Sequence, residues 1–458
     1  MGNTNGPAGP DRPPMDIAVV GTGIAGMACA WLLAERHRVT VYESADRVGG
    51  HTNTVEVATR DGGIPVDTGF IVYNEVTYPN LTALFRFLEV PTQDSDMSFA
   101  VSLDDGRLEY AGTDLAGLFA QKSNLFRPRF WGMLRDLLRF YRAAPRDLDR
   151  LEQDLGSLDD YLRAGGYCAA LRDDHLRPMA AAIWSCPPAG AGLQPAASFI
   201  RFCANHGLLK VSNRPVWRTV KGGSREYVAR LTERFAGRIH TGRPALAVER
   251  SEGGVTVHAP EGSHTYDHVV LACHADQALT LLGSEATAGE TAVLGTFRYT
   301  RNLAVLHTDE SLMPHRPGVW ASWNFLGKSG DDRGQPCITY WMNRLQNLGG
   351  RTNYFVTLNP PRPPRPGTLL RGEMYEHPMF DAAAIRAQRR LWSLQNKDGV
   401  WFCGAYFGAG FHEDGLQAGL AVAEQLSGLR RPWSVPNESG RIHLGAPDQR
   451  EAELEISA

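Results

Sequence analysis

The stretch DIAVVGTGIAGMACAWLLAERHRVTVYE, residues 16 to 43, decides the fold of this chain. Its two ends, IAVV and VTVYE, are β-rich runs of the buried-strand type. Gly21, Gly23 and Gly26 follow the first run as G-x-G-x-x-G, and the segment behind them has apolar residues at helical spacing. The order strand, glycine turn, helix and strand predicts a βαβ unit that binds a dinucleotide at the turn.

Each glycine of the turn has a distinct physical task. Gly21 permits the tight turn, Gly23 lets the backbone approach a pyrophosphate, and Gly26 lets the helix pack close to the strand. The helix N-terminus offers free N–H groups to the phosphates. Glu43 ends the second strand, where a carboxylate accepts hydrogen bonds from ribose and repels a 2′-phosphate, so the sequence favours FAD or NAD over NADP. The predicted contacts are Gly21, Thr22, Gly23, Ile24, Ala25, Gly26, Glu43 and Ser44.

The run Arg47-Val48-Gly49-Gly50 decides between the two dinucleotides. In this position it resembles the second glycine pair of the glutathione-reductase-like FAD family, in particular its amine oxidase and desaturase branch. The resemblance implies FAD, with the pair lying against the pyrophosphate. His51 stands where amine oxidases usually carry an arginine. The residues implied here as FAD contacts are Arg47, Gly49, Gly50, His51 and Thr52.

Three later blocks resemble other parts of the same FAD domain. In relatives, an Asp-x-Gly segment passes beside the flavin, one strand gives a backbone contact to adenine, and a late helix begins at the flavin pyrimidine. A helix N-terminus there would stabilise negative charge on reduced flavin. The alternative is that Glu413 and Asp414 only cap their own helix. The residues implied as FAD contacts are Asp67, Thr68, Gly69, Phe70, Val248, Ala272, Gly404, Ala405, Glu413, Asp414, Gly415 and Leu416.

The resemblance implies an α/β fold in two parts. One is a Rossmann-like, glutathione-reductase-type FAD domain that is discontinuous in sequence. The other is a mixed α+β substrate domain as in amine oxidases. The predicted boundaries are a disordered lead at 1–14, an FAD domain at 15–94, 216–285 and 395–430, a substrate domain at 95–215 and 286–394, and a flexible tail at 437–458.

Composition narrows the class of protein further. The chain has 458 residues, of which 43% are apolar and 21% charged, as in ordinary globular proteins. Its formal net charge of −3 argues against a nucleic-acid partner. Seven cysteines without a paired or metal-like spacing indicate a reducing compartment and no metal site. We therefore expect a cytoplasmic location.

Catalytic candidates come from the flavin-side turn and from aromatic strands. His412 is the first candidate for a proton acceptor because its ordinary pKa suits that task; a histidine bonded to backbone at a helix start is the alternative. Tyr340 is a second candidate, and Tyr73 and Tyr78 are weaker ones. Residues expected around the pocket are Trp320, Trp323, Phe325, Tyr340, Trp341, Met342, Tyr406, Phe407 and Phe411.

Residues 122–146 hold seven basic residues and a single acid, Asp136. A helix from Pro128 would carry one apolar stripe, formed by Phe130, Met133, Leu134, Leu137, Leu138 and Tyr141. It would carry a basic stripe on another face, which suggests peripheral contact with the inner membrane face through Arg135, Arg139 and Arg142. The alternative is an ordinary helix of the substrate domain that buries its apolar stripe and solvates its arginines.

The blocks VDTGFIVYNEVTYPNLTALF and CGAYFGAGFHEDGLQAGL resemble a bacterial branch that acts on unsaturated acyl chains, including fatty-acid double-bond isomerases and furan fatty acid acyl desaturases. This implies hydride transfer from an allylic C–H of a fatty acyl or phospholipid substrate to flavin N5. Alternatives are a soluble amine or amino-acid oxidase, and a flavin-bound accessory protein of a lipid-modifying methyltransferase. Cys403 does not match the cysteine of covalent monoamine oxidases, so we expect non-covalent FAD.

Overall fold

The structure, a computed structural model, describes residues 13–60, 62–153, 156–210, 214–329 and 335–445. The predicted lead therefore lies almost wholly outside the described residues. The strands are β1 Asp16–Val20, β2 Arg38–Tyr42, β3 Thr54–Thr59, β4 Gly62–Asp67, β5 Tyr73–Asn74, β6 Thr92–Ser95, β7 Phe99–Leu103, β8 Leu108–Ala111, β9 Trp217–Val220, β10 Ile239–His240, β11 Ala247–Ser251, β12 Gly254–Ala259, β13 Gly262–Tyr266, β14 His268–Leu271, β15 Arg298–His307, β16 Trp323–Gly327, β17 Cys337–Trp341, β18 Phe355–Leu358, β19 Leu369–Met379 and β20 Val400–Phe402.

Helices connect and cover these strands. They are α1 Ile24–Leu33, α2 Pro79–Phe87, α3 Leu115–Leu118, α4 Pro128–Gln153, α5 Leu158–Ala164, α6 Ala169–Leu171, α7 Arg177–Trp184, α8 Pro188–Leu193, α9 Ala196–Asn205, α10 Arg225–Thr232, α11 Ala275–Leu282, α12 Ala288–Leu294, α13 Met342–Leu345, α14 Ala382–Gln388 and α15 His412–Ser427. In the described part of the chain, no helix is both long and apolar enough to cross a bilayer.

A five-stranded parallel sheet, in the order β10-β2-β1-β14-β20, forms the nucleotide half of the molecule. Its central strand β1 is flanked on both sides, with Ile17 opposite Val39 and His268. Such a strand must be apolar on both faces, which explains the continuous run IAVV. The sheet assembles strands from three distant parts of the sequence, and they fall within the segments assigned to the FAD domain.

A mixed seven-stranded sheet, in the order β19-β15-β18-β17-β16-β7-β8, forms the other half. Its strands come from both predicted substrate-domain segments, because β7 pairs in parallel with β16 across more than two hundred residues of sequence. Helices α3 to α9 lie between β8 and β9 in the chain. The α/β class and the two-part architecture expected from the sequence are confirmed.

Helix α15 packs closely against α1 at two of its glycines, Gly415 and Gly419. A Cβ at Gly419 would lie 2.1 Å from the carbonyl oxygen of Ala25, and one at Gly415 would lie 2.9 Å from a methyl carbon of Ile24. The two helices therefore touch backbone to backbone, which no larger residue permits. This contact presses α1 onto the parallel sheet and brings the start of α15 beside the glycine turn.

The segment behind α15 packs against the fold as far as Ile442. Ile442 is buried, and the guanidinium of Arg441 donates to the carboxylate of Asp414, with Nε 2.7 Å from Oδ1. The predicted flexible tail is therefore wrong for 437–442, since an ion pair and an apolar anchor hold this part. From residue 446 onwards the tail lies outside the described residues.

Replacing Gly419 with alanine tests the contact between α1 and α15. Alanine favours an isolated helix over glycine by about 1 kcal/mol, but here its Cβ collides with backbone. We expect a loss of about 1–3 kcal/mol in the free energy of unfolding, measured by urea denaturation. Gly237→Ala, where a Cβ would meet nothing within 4 Å, should be close to neutral. Equal effects of the two variants would contradict this account.

Candidate cofactor and substrate site

A cavity of about 970 Å3 lies at the carboxyl ends of the parallel strands and extends towards the seven-stranded sheet. Its wall includes the last residue of β1 and the residues that follow β2, β14 and β20. Loops at the carboxyl ends of parallel strands are where open α/β sheets bind nucleotides. The predicted site residues that line this cavity are Gly21, Thr22, Gly23, Ile24, Ala25, Glu43, Ser44, Arg47, Gly50, His51, Thr68, Gly69, Phe70, Ala272, Tyr340, Gly404, Ala405 and His412.

The glycine turn has the shape of a phosphate cradle. Gly21 adopts φ +106°, which disfavours any side chain, and a Cβ on Gly26 would lie 2.1 Å from the carbonyl oxygen of Gly21. At Gly23 a Cβ would meet nothing within 4 Å, so this glycine borders open space in the cavity wall. No side chain caps the N-terminus of α1. Its first-turn N–H groups therefore remain available for a pyrophosphate.

Glu43 closes the cradle on the side expected for ribose. Its carboxylate is buried and accepts hydrogen bonds from the backbone N–H groups of Thr22 and Ala45, both at 2.9 Å. The Thr22 hydroxyl also donates to it. These donors hold the acid in the cavity wall, where it can accept from hydroxyl groups and would repel a 2′-phosphate.

The second glycine pair is pinned against the first turn. A Cβ on Gly50 would approach the Cα of Gly23 to 3.0 Å, and the N–H of Gly49 donates to the Thr22 hydroxyl at 3.1 Å. The Arg47 guanidinium donates to the Gly50 carbonyl at 2.7 Å and lines the cavity. Arg47 is therefore the cation that this loop offers to a phosphate. Gly49 and Thr52 support the loop without reaching the cavity.

His51 cannot replace the charge of the arginine that it substitutes. Its ring stacks on Tyr375, with 5.0 Å between centroids, and meets the edge of His377 at 5.3 Å. Burial, reinforced by the neighbouring His377 and His274, holds the pKa of His51 well below its usual range. Its Nε2 is buried without a hydrogen-bond partner among the described residues. A bound ligand in the cavity would meet a neutral imidazole here.

Several residues predicted as FAD contacts have structural tasks instead. The Asp67 carboxylate accepts from the backbone N–H of Ser224 at 2.9 Å, ahead of α10, and from Gln346 at 2.8 Å. Val248 is buried in the sheet formed by β11, β12 and β13. The cavity is lined instead by Pro244 and Ala245, just before β11.

The acids at the start of α15 also turn away from the cavity. Glu413 accepts from the backbone N–H groups of Asn80 and Leu81, at 3.1 and 2.9 Å, and so caps α2. Asp414 accepts from the backbone N–H of Phe411 at 2.7 Å, as the capping alternative anticipated. Gly415 and Leu416 are buried and do not line the cavity. These acids stabilise the fold around the site because buried N–H groups need acceptors.

His412, the predicted proton acceptor, begins α15 and lines the cavity. Its Nε2 lies 2.9 Å from the Tyr227 hydroxyl and 3.1 Å from the Thr52 hydroxyl, and its ring stacks on Phe70 at 3.7 Å. Burial lowers the pKa of His412 to about 3. The imidazole is therefore neutral at physiological pH, and its Nε2 is hydrogen-bonded to these two hydroxyl groups.

Tyr340 lines the cavity from β17. Its ring stands edge-on to Trp323 at 4.8 Å, and burial raises the pKa of its hydroxyl above the usual range, so it is a phenol rather than a phenolate. Trp323, Tyr406 and Phe411 also line the cavity. The other residues expected there do not line it: Trp320, Phe325, Trp341, Met342 and Phe407.

Sequence reasoning missed the far wall of the cavity. Ser98, Ser185 and His206 line this part of the cavity. Its other residues are apolar and come from helices α7 and α9 with neighbouring loops and strands: Met97, Phe99, Met179, Ala182, Ile183, Trp184, Phe202, Leu208 and Trp217. Most of these residues lie in the helical insertion, which carries no motif. Their apolar character resembles that of an ordinary core, so no local signal distinguishes them.

The glycine cradle can be tested with Gly23→Ala and Gly26→Ala. Gly23→Ala should leave the unfolding temperature of the apoprotein unchanged, since its Cβ enters open space. It should weaken FAD binding about tenfold or more by displacing the pyrophosphate from the N–H groups. Gly26→Ala should lower the apoprotein's unfolding temperature as well. Isothermal titration with FAD and thermal unfolding separate the effects, and full FAD affinity in Gly23→Ala would contradict the cradle.

The buried histidines predict stability that falls with acid. An unfolded histidine takes up a proton near pH 6.5, whereas His412 in the fold resists protonation down to about pH 3 and His377 down to about pH 4. The unfolded state therefore binds more protons below pH 6.5, and each such residue removes about 1.4 kcal/mol of stability per pH unit in that window.

His412→Asn should reduce the slope of unfolding free energy against pH between 6 and 4 by about one proton. Urea denaturation at several pH values measures this slope. His264→Asn, at an exposed position, is the matched control and should leave it unchanged. An unchanged slope in His412→Asn would show that the ring is not held neutral.

Comparison with known proteins identifies the family of this chain. The model of the family described as flavin containing amine oxidoreductase matches residues 24–311. A protein named as a flavin-containing monoamine oxidase, AofH, from two strains of Mycobacterium tuberculosis, is 30% identical over 267 residues, 56% of each chain. The chain thus spans about half the length of the curated relatives it matches.

Solved structures extend the likeness of fold to almost the whole chain. A putrescine oxidase redesigned in its cofactor binding has a TM-score of 0.65 at 16% identity, covering 90% of this chain and 99% of that one. A CLA-producing fatty acid isomerase from P. acnes has a TM-score of 0.61 at 14% identity, covering 88% and 97%. The cofactor is FAD, which the cradle, Arg47 and Glu43 would hold. The chain belongs to the flavin containing amine oxidoreductase family.

Proposed function

We propose that this FAD-dependent oxidoreductase dehydrogenates or isomerises unsaturated fatty acyl chains. The observation that carries the proposal is the apolar far wall of the cavity, formed by methionine, isoleucine, leucine, phenylalanine and tryptophan side chains. Burying a chain against such a wall contributes about 0.8 kcal/mol per methylene. A long hydrocarbon is therefore the substrate that this wall binds best.

The charges in the cavity wall support the same proposal. Among the described lining residues, Arg47 and Glu43 lie in the nucleotide loops. Arg301 and Glu376, on β15 and β19, lie 3.7 Å apart and neutralise each other. The far wall thus offers no carboxylate or guanidinium for a charged substrate group, which would lose its hydration there without compensation.

When bound, FAD supplies a hydride acceptor, and an allylic C–H is weak enough to be oxidised by it. The residues of the chain bind and orient the acyl chain and exclude water. We propose that His412 and Tyr340 hold protons at the site as a neutral imidazole and a phenol. No second G-x-G-x-x-G unit for a nicotinamide cofactor occurs in the sequence, so the substrate itself would supply the electrons, or the reaction would be redox-neutral.

Oxidation of a small amine is the second candidate. The perpendicular rings of Trp323 and Tyr340 are a specific observation in its favour, because aromatic faces attract an ammonium group. The names of AofH and putrescine oxidase support it as well, and that of the fatty acid isomerase supports the first candidate. These two substrate classes differ in whether the reacting molecule carries a long apolar chain.

Anaerobic mixing of the flavin-loaded protein with different substrates tests the proposal. We expect unsaturated fatty acids or phospholipids to bleach the flavin's visible absorbance or to yield conjugated dienes, while saturated chains of equal length and amines do neither. The absorbance of conjugated dienes must be measured as well as that of the flavin, because isomerisation leaves the flavin oxidised. Bleaching by amines alone would refute the acyl proposal. No change with any substrate would favour an accessory role for a lipid-modifying methyltransferase.

Ala182 offers a second arm of this experiment. It is buried and lines the far wall, so Ala182→Leu should raise KM for a long acyl chain by about tenfold or more while sparing shorter chains. Ala288→Leu, at an exposed position in α12, is the control. Equal KM values for long acyl chains in both variants would show that the acyl chain does not bind against the far wall.

A further inference from the structure

We propose that the outer face of helix α4, together with the turn that precedes it, docks this protein onto an anionic lipid bilayer. The inference extends the proposed function, on which the choice of a lipid surface rests. The docking surface, here called the α4 surface, comprises Leu115, Leu125, Phe126, Trp131, Leu138 and the basic residues Lys122, Arg135, Arg142 and Arg146.

In the structure, the buried and exposed faces of α4 differ from the two stripes expected from the sequence. Phe130, Met133, Phe140 and Ala144 are fully or almost fully buried and form the inner face of α4. Of the predicted apolar stripe, Phe130 and Met133 are buried, and Leu134, Leu137 and Tyr141 pack partly buried against the core. Packing within the fold therefore takes all of that stripe except Leu138, as the alternative interpretation of the helix anticipated.

A different set of residues remains outside. Trp131, Arg135, Leu138, Arg142 and Arg146 follow one another at intervals of three or four residues, which places them on one helical face. All five are exposed, including 49% of Trp131 and 45% of Leu138. Two large apolar side chains thus alternate with three arginines along the outer face.

The turn before α4 enlarges the apolar end of this face. Phe126 is 85% exposed, Leu115 is 73% exposed and Leu125 is 45% exposed. The Trp131 indole N–H donates to the Leu125 carbonyl at 2.9 Å, which ties the turn to the helix. The Phe119 ring, 5.5 Å from that of Trp131, connects α3 to the same cluster. These two contacts join the preceding turn and the residue that ends α3 to the first turn of α4.

The charge of the surface specifies its partner. The only acid within residues 122–146, Asp136, is buried and accepts from the backbone N–H of Cys168 at 2.7 Å. It also pairs with Arg135 and Arg139. Lys122, Arg142 and Arg146 have no carboxylate within ion-pair distance among the described residues. The surface is therefore strongly basic, although the whole chain has a formal net charge of −3.

A lipid headgroup layer satisfies both halves of this surface at once. Aromatic and aliphatic side chains enter the boundary between headgroups and acyl chains, while arginines and lysines remain at the level of the phosphates. Each basic residue near an anionic bilayer contributes about 1 kcal/mol, equivalent to roughly fivefold in partitioning. An acidic protein would complement the charge as well, but the exposed phenylalanine and tryptophan at one end also suit the boundary between headgroups and acyl chains.

Flotation of the flavin-loaded full chain with vesicles tests the proposal. We expect binding to phosphatidylcholine vesicles that contain phosphatidylglycerol, weak binding to pure phosphatidylcholine, and loss of binding at high salt. Arg135→Glu with Arg142→Glu should weaken partitioning by about 25-fold or more, since two favourable charges become unfavourable. Phe126→Ala with Trp131→Ala should weaken it about tenfold or more.

Matched controls keep the test specific. Arg60→Glu with Arg351→Glu makes the same change of charge at exposed positions elsewhere, and Leu246→Ala with Leu369→Ala removes exposed apolar side chains elsewhere. Both controls should bind like the parent protein. Equal losses in controls and α4 variants, or no binding by the parent, would overturn the docking surface. Retention of the protein on a column that carries an acidic protein, without displacement by phospholipid vesicles, would favour an acidic protein partner. That result would also overturn the docking surface.

Flotation requires no turnover, so failures of the two proposals remain distinguishable. Vesicle binding without any reaction of unsaturated chains would refute the proposed function and leave the α4 surface standing. Reaction with detergent-solubilised acyl chains, unchanged in the α4 variants and without vesicle binding, would support the function and remove the surface.

Discussion

Close backbone contact around α1 is the constraint on which the rest of the structure depends. Gly26 lets α1 lie against the turn at Gly21, and Gly419 lets α15 lie against α1 from the other side. Each of these contacts leaves less room than a methyl group needs. As a consequence, the uncapped N-terminus of α1 and the start of α15 reach the same cavity, although they are separated by most of the chain. The dinucleotide cradle and His412 are thus consequences of one packing arrangement.

The cavity combines two chemically different regions. Its nucleotide region has free N–H groups, a guanidinium at Arg47 and a carboxylate at Glu43, which together suit a pyrophosphate and ribose. Its far wall is mostly apolar. Burial also keeps His51 and His412, which line the cavity, neutral. This polarity difference supports the proposed binding of a hydrocarbon.

Much of the nucleotide region could be predicted because it depends on local pattern. Gly21, Gly23 and Glu43 lie within one βαβ unit, so their spacing alone brings them together. The two acids at the start of α15 were harder to assign. Glu413 accepts a hydrogen bond at the N-terminus of α2, and Asp414 accepts from Phe411 and Arg441. A carboxylate beside a helix start looks the same in sequence whether it faces a ligand or a neighbouring backbone. The face of α4 that remains exposed was equally undetermined, because helical periodicity does not say which stripe the core will take.

The sequence by itself determined the βαβ unit, the choice of FAD over NADP and the family to which the chain belongs. The first two properties follow from residues close together in the chain, where the spacing of glycines and the position of one acid suffice. The family follows from a resemblance carried by the second glycine pair and by later blocks of the sequence. Tertiary structure alone decided the apolar far wall, the neutral state of His51 and His412, and the outward position of Trp131 and Phe126. The physical reason is that the burial and desolvation of these side chains depend on which distant segments pack together, and no local sequence pattern specifies that packing.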